Sequence, residues 1–264
     1  MLQIKDLNKT FNPGTPIENH VLRGITLSLS RGDYVTLIGG NGAGKSTLLS
    51  SVAGTFFPDT GSITIDDIDV TGLPEHKRAS YLGRVFQDPM MGTAANMSIE
   101  ENLALAYRRG KVRSLRWYTN DHERTLYREK LATLELGLEN RLTDKVGLLS
   151  GGQRQALTLL MATLNEPRLL LLDEHTAALD PKTAPKVLEI GNRLIEKYNL
   201  TTMMVTHNMR DAIRHGNRLI MMSAGRVVLD ISGQEKQEMT VKELVAKFSQ
   251  ASGEELSNDQ MILG

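Results

Sequence analysis

The first part of the chain alternates apolar and polar residues with a period of two. The clearest example is the segment ITLSLS at 25–30, in which every second residue is apolar, as in a strand with one buried face. A short and mostly apolar run at 34–38 is suited to a buried strand, and a second alternating segment lies at 62–65, after a turn. The pattern predicts strands within residues 2–36 and at 62–65.

Between about residue 90 and residue 165 the pattern becomes helical. Ser98 and Glu101 have the spacing of a capping box before the apolar segment NLALAY, which predicts the first turn of a helix. Beyond this region, strands are predicted for the leucines at 169–172 and for TTMMVTH at 201–207, with a helix between them. A hairpin is predicted over 218–231. The order of these elements predicts an α/β fold.

Composition narrows the possible functions. The 264 residues carry 31 basic and 31 acidic side chains, and the sequence pI is about 7.0, so no net charge draws the chain toward nucleic acid or anionic lipid. Cysteine is absent, which excludes disulfides and thiolate metal sites and favours a reducing compartment. We expect neither a signal peptide nor a transmembrane helix, because the apolar runs fall far short of the ~18 residues of a span.

A glycine-rich loop lies between the predicted strand at 34–38 and a helix-like segment. Residues 39–46, GGNGAGKS, match the pattern G-x-x-x-x-G-K-[ST]. Backbone N–H groups can converge on phosphate oxygens there, because glycine supplies dihedral freedom and no side chain, and a helix N-terminus favours the same anions. We predict that the loop binds a nucleoside triphosphate, with Lys45 reaching the β- and γ-phosphates and Ser46 binding Mg²⁺.

Two acidic residues follow the leucine strand at 169–172. Asp173 would emerge at the carboxyl end of the strand, where open α/β sheets bind their ligands. We predict that Asp173 joins the Mg²⁺ shell and that Glu174 polarises an attacking water. The alternative interpretation is an acidic N-cap of the next helix.

A second glycine cluster begins another helix. Ser150 and Gln153 have the spacing of a capping box, but a capping box does not explain Gly151 and Gly152. Each glycine costs ~1 kcal/mol relative to alanine inside a helix. A second phosphate-binding helix N-terminus would explain both glycines.

Taken together, these motifs resemble those of the ATP-binding cassette (ABC) ATPases over nearly the whole chain. The glycine loop is similar to that family's phosphate loop, LSGGQ at 149–153 to its signature and LLLLDE at 169–174 to its Walker B strand. Four single residues complete the resemblance in the expected order: Phe11 as the adenine-stacking aromatic, Gln87 in VFQDP as the Q-loop glutamine, Asp180 in ALD as the D-loop aspartate and His207 in MVTHNM as the switch histidine.

The resemblance implies an α/β fold with a P-loop NTPase core, an antiparallel β subdomain and an inserted α-helical subdomain. It implies a head-to-tail dimer in which each ATP lies between one subunit's glycine loop and the other's residues 150–152. Glu174 would orient water, His207 would contact the γ-phosphate and Gln87 would link Mg²⁺ to the docked partner. The residues implied to contact nucleotide are Phe11, Gly39, Asn41, Gly42, Ala43, Gly44, Lys45, Ser46, Thr47, Ser150, Gly151, Gly152, Gln153 and Asp180, with Ser46, Gln87 and Asp173 at the metal.

We expect a single ABC ATPase domain over 1–264. Its segments would be a β subdomain and nucleotide-binding core (1–88), a helical subdomain (89–165), a second core segment (166–235) and a C-terminal helix and tail (236–264).

The resemblance also implies partners. They are a transmembrane permease on another chain, a second ATPase subunit that is most simply an identical copy, and indirectly an extracytoplasmic substrate-binding protein, with no nucleic acid. The chain would lie at the inner face of the cell membrane. Residues 87–111 and DEHTAALDPKT at 173–183 look like those of bacterial importers of small solutes such as amino acids. The alternative is a soluble ABC ATPase without a permease, such as a scaffold in iron–sulfur cluster assembly.

Three further features keep two interpretations each. His175 stands where the family usually has proline, and it is either a structural variant or a tuned titratable group. The basic stretch 108–117 is either a solvated face or a contact with lipid headgroups or a permease. Met90, Met91 and Met97, which follow the Q-loop, are either core residues or a deformable surface for a partner helix.

Overall fold

The computed structural model describes residues 1–110 and 119–252. In chain order, the strands of these residues are β1 (Leu2–Phe11), β2 (Asn19–Leu29), β3 (Tyr34–Gly39), β4 (Thr60–Ile65), β5 (Ile68–Asp69), β6 (Leu82–Val85), β7 (Leu169–Asp173), β8 (Thr201–Val205), β9 (Arg218–Ser223) and β10 (Arg226–Ser232). The helices are α1 (Lys45–Ala53), α2 (Glu75–Arg78), α3 (Ile99–Tyr107), α4 (Asp121–Ala132), α5 (Gly151–Thr163), α6 (Ala184–Tyr198), α7 (Met209–Arg214), α8 (Gly233–Glu238) and α9 (Val241–Ser252), with short 3-10 helices at Leu138–Asn140 and Val146–Leu148.

The chain divides into two compact units. The first unit consists of Met1–Arg78 and the chain from Leu200 onward, and the second unit is Ala79–Asn199. The finer division into four segments that we expect from the sequence remains a proposal. Among the helices of the described residues, none combines the length and the apolar character that crossing a membrane requires.

The first unit contains an antiparallel sheet in the order β2-β1-β4-β5. Burial alternates along the second half of β2, with residues 25, 27 and 29 buried, as the period-two pattern predicts. The apolar β3 lies between β8 and β9 and is parallel to both, and β10 pairs with β9 in a hairpin. The hairpin turns at Ala224 and Gly225, whose φ angles of 44° and 79° suit a two-residue turn with positive φ at both positions.

The C-terminal part of the first unit packs on the strand that leads to the glycine loop. Ile38 of β3 belongs to a buried cluster that also contains residues of α7, β9 and β10. Leu244 and Phe248 bring α9 into the same cluster. The end of β3, and therefore the start of the loop, rests on a packed apolar layer.

The second unit contains the parallel pair β6 and β7, with Leu82 opposite Leu169, and helices α3 to α6. Both predicted capping boxes form, since Ser98 and Ser150 accept hydrogen bonds from the third residue of α3 and α5. A third box, formed by Asn120 and Glu123 at α4, was not predicted. Strands, parallel sheet and helices together confirm the α/β class.

Candidate functional site

The glycine loop connects β3 to α1, and two of its glycines are required by the packing of the chain itself. A Cβ on Gly39 would lie 2.2 Å from the carbonyl oxygen of Met222. Gly44 has φ +97° and a Cβ there would lie 3.0 Å from the carbonyl oxygen of Val21. The loop therefore needs glycine at both positions, because a side chain at Gly39 or Gly44 would come too close to a neighbouring carbonyl oxygen.

The other two glycines have no such neighbour. A Cβ on Gly40 or Gly42 would have no heavy atom within 4 Å among the described residues. The space beside this part of the loop is therefore open, and a side chain would fill it. An open cradle lined by backbone is what a phosphate group requires.

Lys45 places a buried ammonium group at the loop. Its side chain is 5% exposed, and Nζ donates hydrogen bonds to the carbonyl oxygens of Gly39 (2.8 Å) and Gly40 (3.1 Å). Within the described residues, no side chain caps the N-terminus of α1, so the positive end of the helix is available to an anion. The loop, the ammonium and the helix end together suit a polyphosphate. Asn41 and Ser46 are exposed, Ala43 is buried and Thr47 is half-buried.

A buried arginine supports the opposite end of α1. The guanidinium of Arg78 donates to the carbonyl oxygens of Ser51 (2.6 Å) and Val52 (2.9 Å), near the end of the helix, and to two further carbonyls at residues 71 and 73. Burial lowers the pKa of Arg78 to about 10. The positive charge faces the negative end of the helix dipole and stabilises it.

His207 is brought beside the glycine loop within the first unit. It follows β8, and the N–H of Thr206 donates to the carbonyl of Leu37 over 3.2 Å. A small pocket is lined by residues of the loop, by His207 and by Phe248 of α9. His207 is therefore placed where it can reach a group bound at the loop.

Lys236 holds the helix that follows His207. Its ammonium donates to the carbonyl oxygens of Ile213, His215 and Gly216 at 2.8, 2.7 and 3.0 Å, where α7 ends. Burial lowers the pKa of Lys236 to about 8. Sequence analysis missed Lys236 and Arg78, because each binds carbonyls through the tertiary fold and belongs to no motif.

Phe11 lies at the end of β1, on the strand pair that borders the loop. It pairs in register with Asn19 of β2. Asn19 lies two residues from Val21, whose carbonyl oxygen would lie 3.0 Å from a Cβ on Gly44. The Phe11 ring contacts the Phe56 ring, with the two centroids 5.1 Å apart. Phe11 is thus an aromatic residue on the same strand pair whose Val21 borders the phosphate loop.

In the second unit, Asp173 is the last residue of β7 and Glu174 follows it. Leu169 to Leu172 are fully buried, whereas Asp173 and Glu174 are half-buried. The guanidinium of Arg84, on the neighbouring strand β6, lies 3.6 Å from a carboxylate oxygen of Asp173. Glu174 has φ +45°, a left-handed conformation that is rare for residues other than glycine.

Asp180 organises the turn before α6. Its carboxylate accepts hydrogen bonds from the N–H groups of Lys182 and Thr183, each at 3.1 Å, and from the Thr183 hydroxyl at 2.5 Å. These bonds, with the hydroxyl bond the largest contribution, lower the pKa of Asp180. Asp180 thereby holds Thr183 in a fixed position.

Thr183 gives one of the two glycines of this cluster a packing reason, in addition to the phosphate-binding role predicted from the sequence. A Cβ on Gly152 would lie 1.9 Å from Cγ2 of Thr183, whereas one on Gly151 would lie 3.5 Å from Leu179, an ordinary contact distance. Gly152 is buried and Gly151 is exposed. Packing against Thr183 therefore explains why residue 152 is a glycine, whereas the space at Gly151 is open to a ligand or partner. Gly151 lies beside the capping box formed by Ser150 and Gln153.

Gln87 is exposed and is followed by an exposed apolar patch. Met90 and Met91 are 44% and 69% exposed, and Leu148 is 71% exposed, so the interpretation of Met90 and Met91 as core residues is wrong. Arg154 donates both to the Met90 sulfur and to carbonyls beside Leu148. We refer to Met90, Met91 and Leu148 as the methionine patch. Met97 is half-buried.

The structure describes His175 and the beginning of the basic stretch. His175 is 2% exposed, and a Cβ on Gly191 of α6 would lie 3.9 Å from its Nε2, so it packs inside the second unit. Arg108 donates to both carboxylate oxygens of Glu123 at 3.0 Å, and Arg109 donates to a carbonyl of α5. Residues 111–117 of the basic stretch lie outside the described residues, as do the last residues of the predicted tail.

The described residues contain no group of three histidine, aspartate or glutamate side chains that could hold a metal ion by themselves. The donors assigned to Mg²⁺ from the sequence are the hydroxyl of Ser46, the amide of Gln87 and the carboxylate of Asp173. All three offer oxygen atoms, which Mg²⁺ prefers, and Mg²⁺ at nucleotide sites takes few protein ligands because phosphates and water supply the rest. The donor chemistry fits Mg²⁺ bound together with a nucleotide.

Comparison with known proteins identifies the family of the chain. A family model described as ABC transporter matches residues 22–177. The chain is 46% identical over 257 residues to the tyrosine transport ATP-binding protein of Clostridioides difficile (strain R20291), an alignment that covers 95% of this chain and 100% of that protein.

Two solved structures are similar along most of the chain. One is a dimeric, post-hydrolysis state of an ATP-binding cassette bound to ADP and Pi, with 29% identity, a TM-score of 0.75 and coverage of 88% of this chain and 98% of that one. The other is cbiO1 from Clostridium perfringens, described as part of the ABC transporter complex cbiONQ, with 27% identity, a TM-score of 0.75 and coverage of 94% of both chains.

Proposed function

The chain belongs to the family of ABC transporter ATP-binding proteins and is thus an ATP-hydrolysing transport subunit, and from this premise we propose that it drives the import of tyrosine or a related amino acid through a separate permease. The observation that carries the substrate class is the 46% identity to a tyrosine transport protein along that protein's entire length. The same relationship favours a transporter over a soluble ABC ATPase such as an iron–sulfur scaffold.

We propose that the glycine loop holds the phosphates of ATP. Lys45 neutralises the β- and γ-phosphates from its buried position, and the open cradle at Gly40 and Gly42 admits the phosphate oxygens. Asn41, Ala43 and Thr47 complete the loop, and Phe11 stacks on the base. Bound Mg²⁺, held through Ser46, Asp173 and Gln87, would supply positive charge to the phosphates.

The hydrolytic step needs a group that takes a proton from water. Glu174 is proposed for this role, because its carboxylate follows a buried strand and is held half-buried. His207 lies beside the glycine loop and is proposed to contact the γ-phosphate, while Gln87 reports nucleotide binding to the partner. In this scheme the chain's residues position water and phosphate and move one proton.

We propose that two copies form a head-to-tail dimer in which residues 150–153 and Asp180 of one subunit face the glycine loop of the other. Gly151 supports this, because it is exposed and, among the described residues, a Cβ there would meet Leu179 at an ordinary contact distance of 3.5 Å. The test is size-exclusion chromatography of Glu174→Gln with and without ATP. A dimer that forms only with ATP and that Gly151→Asp disperses supports the proposal, and a protein that stays monomeric with ATP contradicts it.

The methionine patch is the surface we propose for the permease. A short cytoplasmic helix of a permease needs an apolar floor, and exposed methionines adapt to its shape. Asn102 fixes the segment next to the patch, since its amide bonds the N–H of Ala94 (2.8 Å) and the carbonyl of Ser98 (2.9 Å). The chain would thus be held at the inner face of the membrane, with an extracytoplasmic binding protein on the other side of the permease.

Docking is tested by replacing Met90 and Met91 with aspartate, which would bury two charges against the permease helix. We expect loss of co-purification with the permease and unchanged ATP hydrolysis by the free subunit. Leu105→Asp is the matched control, because Leu105 is an exposed apolar residue (57%) of the same unit outside the patch, and it should leave co-purification intact. Retained assembly and uptake in the double aspartate variant would exclude the patch as the docking surface.

The substrate is tested in cells whose copy of this chain is replaced by the Lys45→Ala variant. Uptake of radiolabelled tyrosine should fall to the background level. Unlabelled tyrosine and related amino acids should compete for uptake in cells with the unchanged chain, whereas chemically unrelated amino acids should not. Unaltered tyrosine uptake in the variant would refute the proposed substrate and leave the ATPase assignment in place.

A further inference from the structure

The aromatic ring proposed to stack on the base is itself in contact with a second ring. The centroids of Phe11 and Phe56 are 5.1 Å apart and the ring planes make an angle of 84°, the edge-to-face arrangement that aromatic pairs prefer. Phe56 follows the end of α1 by three residues and is 36% exposed. No motif in the sequence marks this residue.

Hydrogen bonds attach the segment that carries Phe56 to the end of α1. The N–H groups of Gly54 and Thr55 donate to the carbonyl of Ser50 at 3.0 and 2.9 Å. Gly54 adopts φ +87°, and a side chain there would overlap Arg78, whose Nε would lie 2.7 Å from a Cβ. The chain is therefore turned sharply out of the helix at a fixed angle.

The other end of the same segment is attached to β1, next to Phe11. The N–H of Asp59 donates to the carbonyl of Asn8 over 2.8 Å. The Asp59 carboxylate accepts from the N–H of Thr10 at 2.6 Å and from Nζ of Lys9 at 2.8 Å. The Lys9 ammonium in turn lies 5.7 Å from the centre of the Phe11 ring. Residues 54–59 thus form a short bridge with both ends anchored.

From this arrangement we infer that Phe56 is a positioning residue that holds the Phe11 ring in the orientation needed to stack on the base. The inference rests on the proposed role of Phe11. The two ends of α1 would then contact opposite ends of the nucleotide. Lys45, at the N-terminus of α1, would bind the phosphates, and the bridge that follows the C-terminus of α1 would hold the base-stacking ring. Loss of Phe56 should therefore weaken recognition of the base without affecting the phosphates.

The test compares two ligands that differ in the nucleoside. ADP and pyrophosphate are titrated into the purified chain with Mg²⁺ by calorimetry. Phe56→Ala should weaken ADP binding by about two- to tenfold, the range expected for losing one edge-to-face ring pair, and should leave pyrophosphate binding unchanged. Phe56→Tyr, which keeps the ring, should restore ADP binding. Phe57→Ala is the matched control, since Phe57 is the adjacent phenylalanine and is 49% exposed, and it should change neither affinity.

Two outcomes would overturn the inference. Unchanged ADP binding in Phe56→Ala would show that Phe11 orients itself, and an equal loss of ADP and pyrophosphate would show that Phe56 acts on α1 and the phosphate loop. Phe11→Ala separates this inference from the proposed function. If Phe11→Ala weakens ADP binding, adding Phe56→Ala should cause no further loss. If Phe11→Ala has no effect, the stacking role of Phe11 fails and the inference fails with it.

Discussion

Replacing Glu174 by glycine should make the protein more stable while removing its hydrolytic activity. Glu174 has φ +45°, and a left-handed conformation costs roughly 1–2 kcal/mol in residues with a Cβ. Glycine avoids this cost but loses about 0.5–1 kcal/mol more chain entropy on folding. The difference predicts a gain of up to roughly 1.5 kcal/mol in the free energy of unfolding for Glu174→Gly, or up to about 3–6 °C in melting temperature for a chain of this size.

Hydrolysis should fall, because this substitution removes the carboxylate that we propose as the general base. A positioned base contributes about 10²- to 10⁴-fold to the rate of such reactions, and Glu174→Gly should lose that factor. Glu174→Gln should lose the same activity without the gain in stability, since glutamine keeps the Cβ and therefore the strain. The assays are thermal and urea unfolding, together with steady-state release of phosphate.

Glu166 supplies the matched control within the same unit. It is an exposed glutamate with φ +47°, outside every motif, so Glu166→Gly should gain similar stability and keep full activity. If Glu174→Gly is less stable than the unchanged chain while Glu166→Gly is more stable, the Glu174 side chain supports the fold and the strain argument is refuted. If Glu174→Gly keeps its hydrolytic rate, Glu174 is not the base.

Three further predictions concern the two glycines at the start of α5, an arginine of β6 and the lysine of the glycine loop. Gly152→Ala should destabilise the protein by about 1–3 kcal/mol in urea unfolding, because the added methyl overlaps a packed threonine, whereas Gly151→Ala should stay within about 0.5 kcal/mol; similar effects of the two would contradict the packing argument. Arg84→Met should strengthen Mn²⁺ binding to the ADP complex in electron paramagnetic resonance titrations, since it removes a cation 3.6 Å from Asp173, and weaker Mn²⁺ binding would show that Arg84 aids the metal. Lys45→Ala should abolish ATP binding measured by calorimetry, and near-normal affinity would refute the loop as the phosphate site.

Local patterns predicted much of this fold from the sequence. The alternation at 25–30, the capping boxes at Ser98 and Ser150, and the hairpin turn at Ala224–Gly225 all appear in the structure. Each of these features is determined by interactions between residues a few positions apart in the sequence, so it can be predicted without knowledge of the tertiary structure. The glycine loop belongs to the same class, since it lies between a buried strand and a helix as its motif requires.

Features set by distant residues could not be predicted. Strand β6 has the sequence LGRV, in which glycine and arginine weaken a strand pattern, but a Cβ on Gly83 would lie 2.4 Å from the carbonyl of Ala162, so close packing on α5 requires glycine. The packing reason for Gly152 depends on Thr183, some thirty positions along the chain. The roles of Arg78 and Lys236 depend on carbonyls that folding brings to them. In each case the deciding partner is known only from the tertiary structure.

The central claim is that ATP hydrolysis by this chain drives the import of tyrosine or a related amino acid. The most direct measurement is tyrosine transport by proteoliposomes that contain the permease with this chain bound on the outer face, with the binding protein enclosed and ATP supplied outside. In this inverted orientation, import appears as ATP-dependent loss of labelled tyrosine preloaded inside the vesicles. We expect that loss with the unchanged chain and none with Lys45→Ala or Glu174→Gln. Tyrosine movement that is equal with and without ATP, or that persists with Lys45→Ala, would contradict the account.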